Sequence, residues 1–171
     1  MEKCVICGTG IASSLLRVCI DCIRARRENA ARYAMEAHTR IRAHYRLPAE
    51  PPKSENGIRC DLCSNACVMK EGERSYCGLK ENVDGSLRFL APENHALMYA
   101  YVDPLPTNCC SAWFCPGSSQ FGHVNIAVFL YGCNFNCVFC QNATHKDFGV
   151  AKVVSEKEFV SMVTRRERAY C

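Results

Sequence analysis

The sequence predicts an α+β fold built from small modules, and three features of the chain indicate it. Paired cysteines open the chain, a segment with helical periodicity follows them, and a short apolar run lies late in the sequence. Apolar residues three and four positions apart are typical of a helix, whereas a short apolar run between turn residues is typical of a buried strand. We therefore expect a metal knuckle with a helix, a cysteine-rich module, and a strand followed by a helix.

These features divide the chain into four segments. We assign residues 1–47 to the zinc knuckle and its helix, and 48–57 to a linker. Residues 58–122 form the cysteine-rich module with its loops, and 123–171 hold the late strand, a cysteine loop and a helix. The linker is rich in proline, which cannot continue a helix and therefore separates the first segment from the second.

The cysteine content indicates a metal-binding protein of a reducing compartment. Fifteen of the 171 residues are cysteine, and the amino terminus carries no apolar stretch of a secretory signal. No apolar run approaches the length needed to cross a bilayer. Clustered cysteines in a reducing compartment bind metal more often than they form disulfides. We therefore expect a cytoplasmic protein that does not associate with membranes.

The formal net charge of +4 does not indicate a nucleic-acid partner. Thiolates bound to metal would offset this charge, and nucleic-acid binding needs a concentrated basic surface. The arginine-rich helix beside the first cysteines could present such a surface to RNA or to an acidic partner. A solvated helix face accounts for the same pattern, and we favour that interpretation.

The first four cysteines form two Cys-x2-Cys pairs: Cys4, Cys7, Cys19 and Cys22. Two such pairs suit a tetrahedral site of four thiolates, which is typical of structural zinc. Because a segment this short cannot form a sufficient hydrophobic core, metal binding would supply most of its stability. We predict zinc at this site, with iron as the alternative.

A helix is predicted from Ile23 to about Leu47. Small and apolar residues recur there at steps of three and four, which is the helical period. These residues are Ala30, Ala34, Ala37, Ile41 and Tyr45. Pro48 then ends the helix.

A second group of four cysteines lies in the cysteine-rich module: Cys60, Cys63, Cys67 and Cys77. Four thiolates could close a zinc site or hold an auxiliary iron–sulfur cluster that relays electrons. We favour zinc, because an auxiliary cluster usually needs an enclosing apolar shell. Cys109, Cys110 and Cys115 receive no assignment, and Cys171 is not expected to be a ligand.

The motif that carries chemistry follows the apolar run of residues 125–131. Cys133, Cys137 and Cys140 have the spacing Cys-x3-Cys-x2-Cys. Three thiolates on one tight loop can hold three corners of a [4Fe–4S] cube and leave the fourth iron without a protein ligand. The run before the loop is typical of a strand buried on both faces of a parallel sheet. Structural zinc or buried free thiols are the alternative interpretation of the loop.

In this loop the sequence resembles the radical S-adenosylmethionine superfamily. Over roughly residues 58–149 it is similar to the branch described as similar to pyruvate formate-lyase activating enzyme. The resemblance there rests on the module cysteines, Glu71-Gly72, Cys77-Gly78-Leu79-Lys80, Tyr101 to Pro104, Pro116-Gly117 and the cysteine loop.

The resemblance implies that the open iron of the cluster binds S-adenosylmethionine and that an electron from the cluster yields a 5′-deoxyadenosyl radical. It implies that Phe139 lies against the adenine. It also implies an electron donor such as ferredoxin or flavodoxin, and a protein substrate as one possible target.

The resemblance further implies a full or partial (β/α) barrel, of which the sequence holds the first β/α unit. A complete barrel typically takes about 250 residues, and the sequence ends one predicted helix after Cys140. Ser155 and Glu158 form a capping-box pattern that opens this helix at about Glu156. We expect an incomplete barrel that is inactive on its own, either because a second chain supplies the remainder or because the reading frame is truncated. The alternative is a non-catalytic protein that binds zinc or an iron–sulfur cluster and docks on a partner.

Overall fold

The chain has an α+β fold of small sheets and helices, and its described residues form no closed barrel. Its elements belong to two compact units, one of Met1–Arg88 with Cys133–Ala143 and one of Phe89–Gly132 with Thr144–Cys171. The computed structural model describes residues 2–12, 14–107, 109, 111–135, 137 and 140–171. None of the helices in these ranges has the length and apolar character needed to cross a membrane.

The first unit begins with a hairpin and two helices. Strands β1 (Glu2–Lys3) and β2 (Ile11–Ala12) pair antiparallel. Helices α1 (Ile20–Ala25) and α2 (Arg27–His44) follow, separated by Arg26 in a non-helical conformation. The predicted helix is therefore confirmed, although it is divided near its start.

Two further hairpins complete the first unit. Strand β3 (Ile58–Arg59) pairs antiparallel with β4 (Val68–Met69). Strand β5 (Lys80–Val83) pairs with β6 (Ser86–Phe89) through the dipeptide Asp84-Gly85. Both residues of this dipeptide have positive φ, 53° and 69°. A two-residue loop with this backbone matches the twist of the flanking strands, which is why Asp-Gly occurs in such turns.

The second unit contains a three-stranded antiparallel sheet. The long strand β7 (His95–Pro104) lies between β8 (Val124–Leu130) and β9 (Lys152–Ser155). Helix α3 (Glu156–Thr164) follows β9 directly. Short 3-10 turns occur at Pro116–Ser119 and at Ala143–Lys146.

Strand β8 lies where the apolar run predicts a strand, but its pairing differs from the prediction. It is an edge strand that pairs antiparallel with β7, with Tyr101 opposite Ala127. Its residues range from half-buried to exposed. The expectation of a strand buried on both faces of a parallel sheet was therefore wrong for the described residues. Burial in an antiparallel edge strand depends on its neighbours, and a short apolar run does not specify them.

The capping box at the start of α3 is confirmed. The Ser155 hydroxyl accepts the Glu158 backbone N–H at 3.2 Å, and the Glu158 carboxylate accepts the Ser155 backbone N–H at 2.8 Å. The hydrogen bond from the Ser155 hydroxyl, followed by that from its backbone N–H, lowers the pKa of Glu158. Two backbone donors that a helix start leaves without intrahelical partners are thereby satisfied.

We expect Ser155→Ala to destabilise the second unit by about 1 kcal/mol, because a helix loses its N-cap acceptor. Urea unfolding measures the effect, and Ser161→Ala in the same helix is the matched control. Because the pKa of Glu158 is lowered in the fold, its contribution is present above its unfolded pKa and is lost as the pH falls through the folded value. The difference between native chain and variant should therefore shrink below about pH 4. A difference that grows on acidification would contradict this account.

Candidate metal centres

The first unit gathers the four amino-terminal cysteines into one group that could hold a metal ion. All four Sγ atoms lie within 4.8 Å of one another, and the sulfurs of Cys7 and Cys19 are 3.7 Å apart. Four sulfurs placed tetrahedrally around one zinc at about 2.3 Å are separated by about 3.8 Å. The separation of Cys7 and Cys19 therefore fits a single tetrahedral ion.

Each of these cysteines is positioned by local structure that its neighbours dictate. Cys4 follows β1, and its carbonyl accepts the Gly8 N–H at 2.8 Å to close the turn that presents Cys7. Gly8 has a φ of 74°, in the region that favours glycine. Cys19 occupies the N-cap position of α1, without a side-chain capping hydrogen bond, and Cys22 lies in the first turn of that helix. A hairpin turn and a helix start thus present one Cys-x2-Cys pair each.

Backbone amides point at the sulfurs of the first pair. The Ile6 N–H donates to Cys4 Sγ and the Gly10 N–H to Cys7 Sγ, both at 3.4 Å. The Gly10 N–H, with the Thr9 hydroxyl as the next cause, lowers the pKa of the Cys7 thiol to about 5. Hydrogen bonds to a thiolate favour the charged form, which is the form that binds metal.

Burial has the opposite effect on Cys22. It raises the pKa of Cys22 to about 12, and the neighbouring Cys7 thiol adds to the increase. A buried thiolate beside other thiolates is unstable without a positive charge among them. A divalent cation supplies that charge and would release the proton of Cys22 on binding.

Gly10 lies so close to the cysteine sulfurs that a side chain at this position would clash with Cys19. A Cβ atom at this position would lie 2.5 Å from Cys19 Sγ and 3.6 Å from Cys7 Sγ. Contacts below 3.0 Å force the neighbouring atoms to move, and here those atoms belong to a ligand side chain. The backbone therefore approaches the sulfur group closely, as it does around the metal in a knuckle.

The buried cluster around this group consists mainly of the cysteines themselves. Cys4, Cys19 and Cys22 are buried together with Val18 and Ala30. Ile6 and Tyr33 pack against them from the rim. Because so small an apolar cluster contributes little free energy of folding, a bound metal would supply much of the stability of this region.

The second group of cysteines lies in and between the β3–β4 and β5–β6 hairpins. Cys60 and Cys67 are buried, whereas Cys63 and Cys77 are half-buried. Among the described residues, no three of these sulfurs lie within 4.8 Å of one another. The Tyr76 N–H donates to Cys67 Sγ at 3.5 Å. Burial raises the pKa of the Cys67 thiol, and this hydrogen bond opposes the increase.

The predicted cluster loop packs on this module within the same unit. The Cys133 N–H donates to the Cys77 carbonyl at 3.3 Å, and the Asn65 side chain donates to the Asn134 carbonyl at 2.8 Å. The Phe135 N–H lies 3.4 Å from Cys133 Sγ, the same i,i+2 contact that the knuckle makes at Cys4. The loop therefore presents one sulfur to a backbone donor in the way a metal-bound thiolate requires.

The loop cysteines differ in exposure. Cys137 is exposed, whereas Cys133 and Cys140 are half-buried, and the three described sulfurs do not all lie within 4.8 Å of one another. A cube of four irons binds each thiolate at a different iron, so its ligands are spaced more widely than those of a single ion. Phe139, which the resemblance places against adenine, lies outside the described residues.

Two cations that the sequence did not single out as functional lie beside these cysteines. Arg42 in α2 is completely buried, and Lys80 at the start of β5 is 5% exposed. Burial lowers the pKa of Arg42, whereas charges on Tyr76, Cys133 and the module cysteines oppose this effect. Arg42 is one of many arginines in its helix, so the sequence held no signal that distinguished it.

The comparisons with known proteins identify one relative and no family. No family model and no solved structure matches the chain. The chain is similar to the uncharacterized protein MJ0808 of Methanocaldococcus jannaschii, with 31% identity over 99 residues. The similar region covers 55% of this chain and 26% of that protein. The chain therefore matches about a quarter of the length of this relative.

Proposed function

We propose that the chain is the metal-binding part of an iron–sulfur protein of the radical S-adenosylmethionine type. The observation that carries the proposal is the Cys-x3-Cys-x2-Cys spacing of Cys133, Cys137 and Cys140 in a loop directly after strand β8. Three thiolates leave one corner of a [4Fe–4S] cube open for a further ligand. The amino-terminal four-cysteine group holds structural zinc, and Cys60, Cys63, Cys67 and Cys77 form a second four-thiolate centre.

The donor set of the loop fits a cluster better than a single ion. Its sulfurs are not gathered as closely as those of the amino-terminal group, and Cys133 receives a backbone N–H. Cys133 and Cys140 are half-buried and Cys137 is exposed, so a cluster that these residues held would be accessible from solvent. A ligand for the fourth iron needs such access.

When bound and reduced, a cluster of this kind supplies the electron that cleaves S-adenosylmethionine to a 5′-deoxyadenosyl radical. The residues of the chain hold and orient it. The cysteine loop supplies three thiolates, and the contact between Cys133 and Cys77 fixes the start of the loop on the cysteine-rich module. Phe139 is proposed to lie against the adenine, and a ferredoxin or flavodoxin is the proposed electron donor.

A second candidate function is that of a non-catalytic metal protein that binds a partner. The four-cysteine group favours it, because structural zinc needs no further chemistry. Exposed aromatic residues in the second unit also favour it, since Trp113 is 81% exposed and Phe121 77%. Large exposed aromatic side chains are typical of interaction surfaces. The closure of a barrel, which radical chemistry uses, is not seen among the described residues.

Binding of S-adenosylmethionine separates the two candidates. We expect the anaerobically reconstituted, dithionite-reduced chain to show an electron paramagnetic resonance signal that changes when S-adenosylmethionine is added. Cys137→Ala should lose both the signal and the change, because the cluster loses one of three protein ligands. Cleavage to 5′-deoxyadenosine should stay slow in the isolated chain, since its described residues close no barrel around the cofactor.

Cys171→Ser serves as the control, because this exposed cysteine belongs to none of the three predicted centres. A cluster signal that does not respond to S-adenosylmethionine would contradict the radical assignment. It would support the non-catalytic metal protein instead.

A further inference from the structure

Two buried cations lie against the second cysteine group, and their burial requires a negative partner. Arg42 has no exposed surface and Lys80 is 5% exposed. Arginine stays protonated in proteins, so the guanidinium carries its charge even in this interior position. Burying a charge without a compensating charge costs several kcal/mol. The protein must therefore place anionic groups near these side chains.

The direct contacts of Arg42 do not provide such an anion. Its Nε and Nη2 atoms donate to the backbone carbonyls of Pro48 and Tyr76. The guanidinium also stacks over the Tyr76 ring, 3.7 Å from its centroid. Nη1 is buried without a hydrogen-bond partner in the described part of the chain, and no described carboxylate forms an ion pair with Arg42. Carbonyls and a ring solvate the cation but leave its charge uncompensated.

Cysteine sulfurs lie close to both cations. Lys80 Nζ donates to Cys60 Sγ at 3.1 Å, in a buried contact. Tyr76, whose carbonyl and ring contact Arg42, donates its N–H to Cys67 Sγ at 3.5 Å and directly precedes Cys77. Negative charge on Cys133, Cys77 and Cys67 would stabilise the guanidinium. Neutral thiols are weak partners for buried cations, whereas metal-bound thiolates keep their negative charge.

We propose that Arg42 and Lys80 form a cationic shell that neutralises a doubly negative metal centre held by Cys60, Cys63, Cys67 and Cys77. The proposal rests on the assignment of these cysteines to a second centre. The sulfurs of this group are spaced more widely than those of the amino-terminal site, as the ligands of a cube are, and an oxidised [4Fe–4S] cube with four thiolates carries two negative charges. Zinc with four thiolates would carry the same charge. Two buried cations offset two negative charges. Lys80 donates a hydrogen bond to the sulfur of Cys60. Arg42 contacts the carbonyl and ring of Tyr76 and so places its positive charge near Cys67 and Cys77.

The test uses the full chain in which Cys133, Cys137 and Cys140 are replaced by alanine. This triple-alanine chain lacks the cysteines proposed to bind the loop cluster. Any metal that it loses when Cys67→Ser is added therefore belongs to the second centre. Lys80→Met and Arg42→Met remove each charge while keeping an apolar stem. Arg42→Lys retains the positive charge but lacks the planar guanidinium. The controls are Lys70→Met, which removes an exposed cation of the cysteine-rich module, and Arg27→Met, which removes an exposed cation of α2.

We expect each charge-removing variant to lose the metal of the second centre at least tenfold more readily to a competing chelator, because outer-shell partners typically contribute 10- to 100-fold to affinity. If this metal is zinc, the chelator titration is the complete readout. If it is an iron–sulfur cluster, the reduction equilibrium should also become at least tenfold less favourable, which is about 59 mV for one electron. Arg42→Lys should recover most of the loss, and the controls should change neither value more than twofold.

Two results would overturn the proposal. The first is that Cys67→Ser removes no metal from the triple-alanine chain, which would also remove the second centre from the proposed function. The second is that the metal is lost on Cys67→Ser but Lys80→Met and Arg42→Met behave like their controls, which would leave the centre intact and refute only the cationic shell. Zinc retained at the amino-terminal site shows that a variant is folded. If Arg42→Met fails this criterion, Lys80→Met decides the outcome.

Discussion

Replacing Cys22 by serine is expected to abolish metal binding at the amino-terminal site and to unfold residues 2–25. Structural zinc contributes about 10–16 kcal/mol to the folding of small zinc modules at neutral pH. The stability of a whole domain is about 5–15 kcal/mol. The few apolar residues around the four sulfurs, chiefly Val18 and Ala30, cannot replace a contribution of that size. Zinc analysis of the purified chain and hydrogen exchange of the amides of residues 2–25 measure the two effects.

Two further variants sharpen this expectation. Gly10→Ala keeps all four thiols but places a Cβ 2.5 Å from Cys19 Sγ, so it should weaken zinc binding although no ligand is lost. Cys171→Ser removes an exposed thiol far from the knuckle in sequence and should leave zinc content and exchange unchanged. Amide exchange in residues 2–25 that does not respond to a chelator would show that this region folds without metal, contrary to our expectation.

Replacing Cys133, Cys137 and Cys140 together by alanine is expected to eliminate the proposed [4Fe–4S] cluster. The native chain, reconstituted anaerobically with iron and sulfide, should show the broad visible absorption shoulder of a [4Fe–4S] cluster. The triple variant should lose the part of this absorption that the loop cluster contributes, because no other described cysteines lie on one loop with this spacing. If these three cysteines bind the cube, the triple variant should contain four fewer irons and four fewer sulfides per chain than the native chain.

The zinc proposed for the amino-terminal site provides the internal control for this experiment. Its ligands belong to the β1–β2 hairpin and α1, so the triple variant should retain it. Retention of the full iron and sulfide content after the triple change would place the cluster elsewhere, with Cys60, Cys63, Cys67 and Cys77 as the remaining candidates. Loss of zinc together with iron would instead indicate that the variant had unfolded.

Local features of the chain were predictable because they depend on residues close in sequence. The capping box of Ser155 and Glu158 needs only two residues three positions apart and a backbone that turns into a helix. The periodicity of the segment that became α2 was similarly sufficient to predict a helix. Strand β8 was predictable as a strand, but its antiparallel partner β7 was not, because the paired residues are 20 to 32 positions apart in the sequence.

The sequence by itself determined which residues can bind metal, since the Cys-x2-Cys spacings bring thiols within reach of one ion or one cluster. The tertiary structure decided which of them meet. It brought the Cys4–Cys7 turn to the start of α1, and it placed the buried Arg42 and Lys80 beside the second cysteine group. The physical reason is that a ligand pair within one turn is held by local backbone geometry. A buried charge, in contrast, finds its partner only when distant segments pack and exclude water.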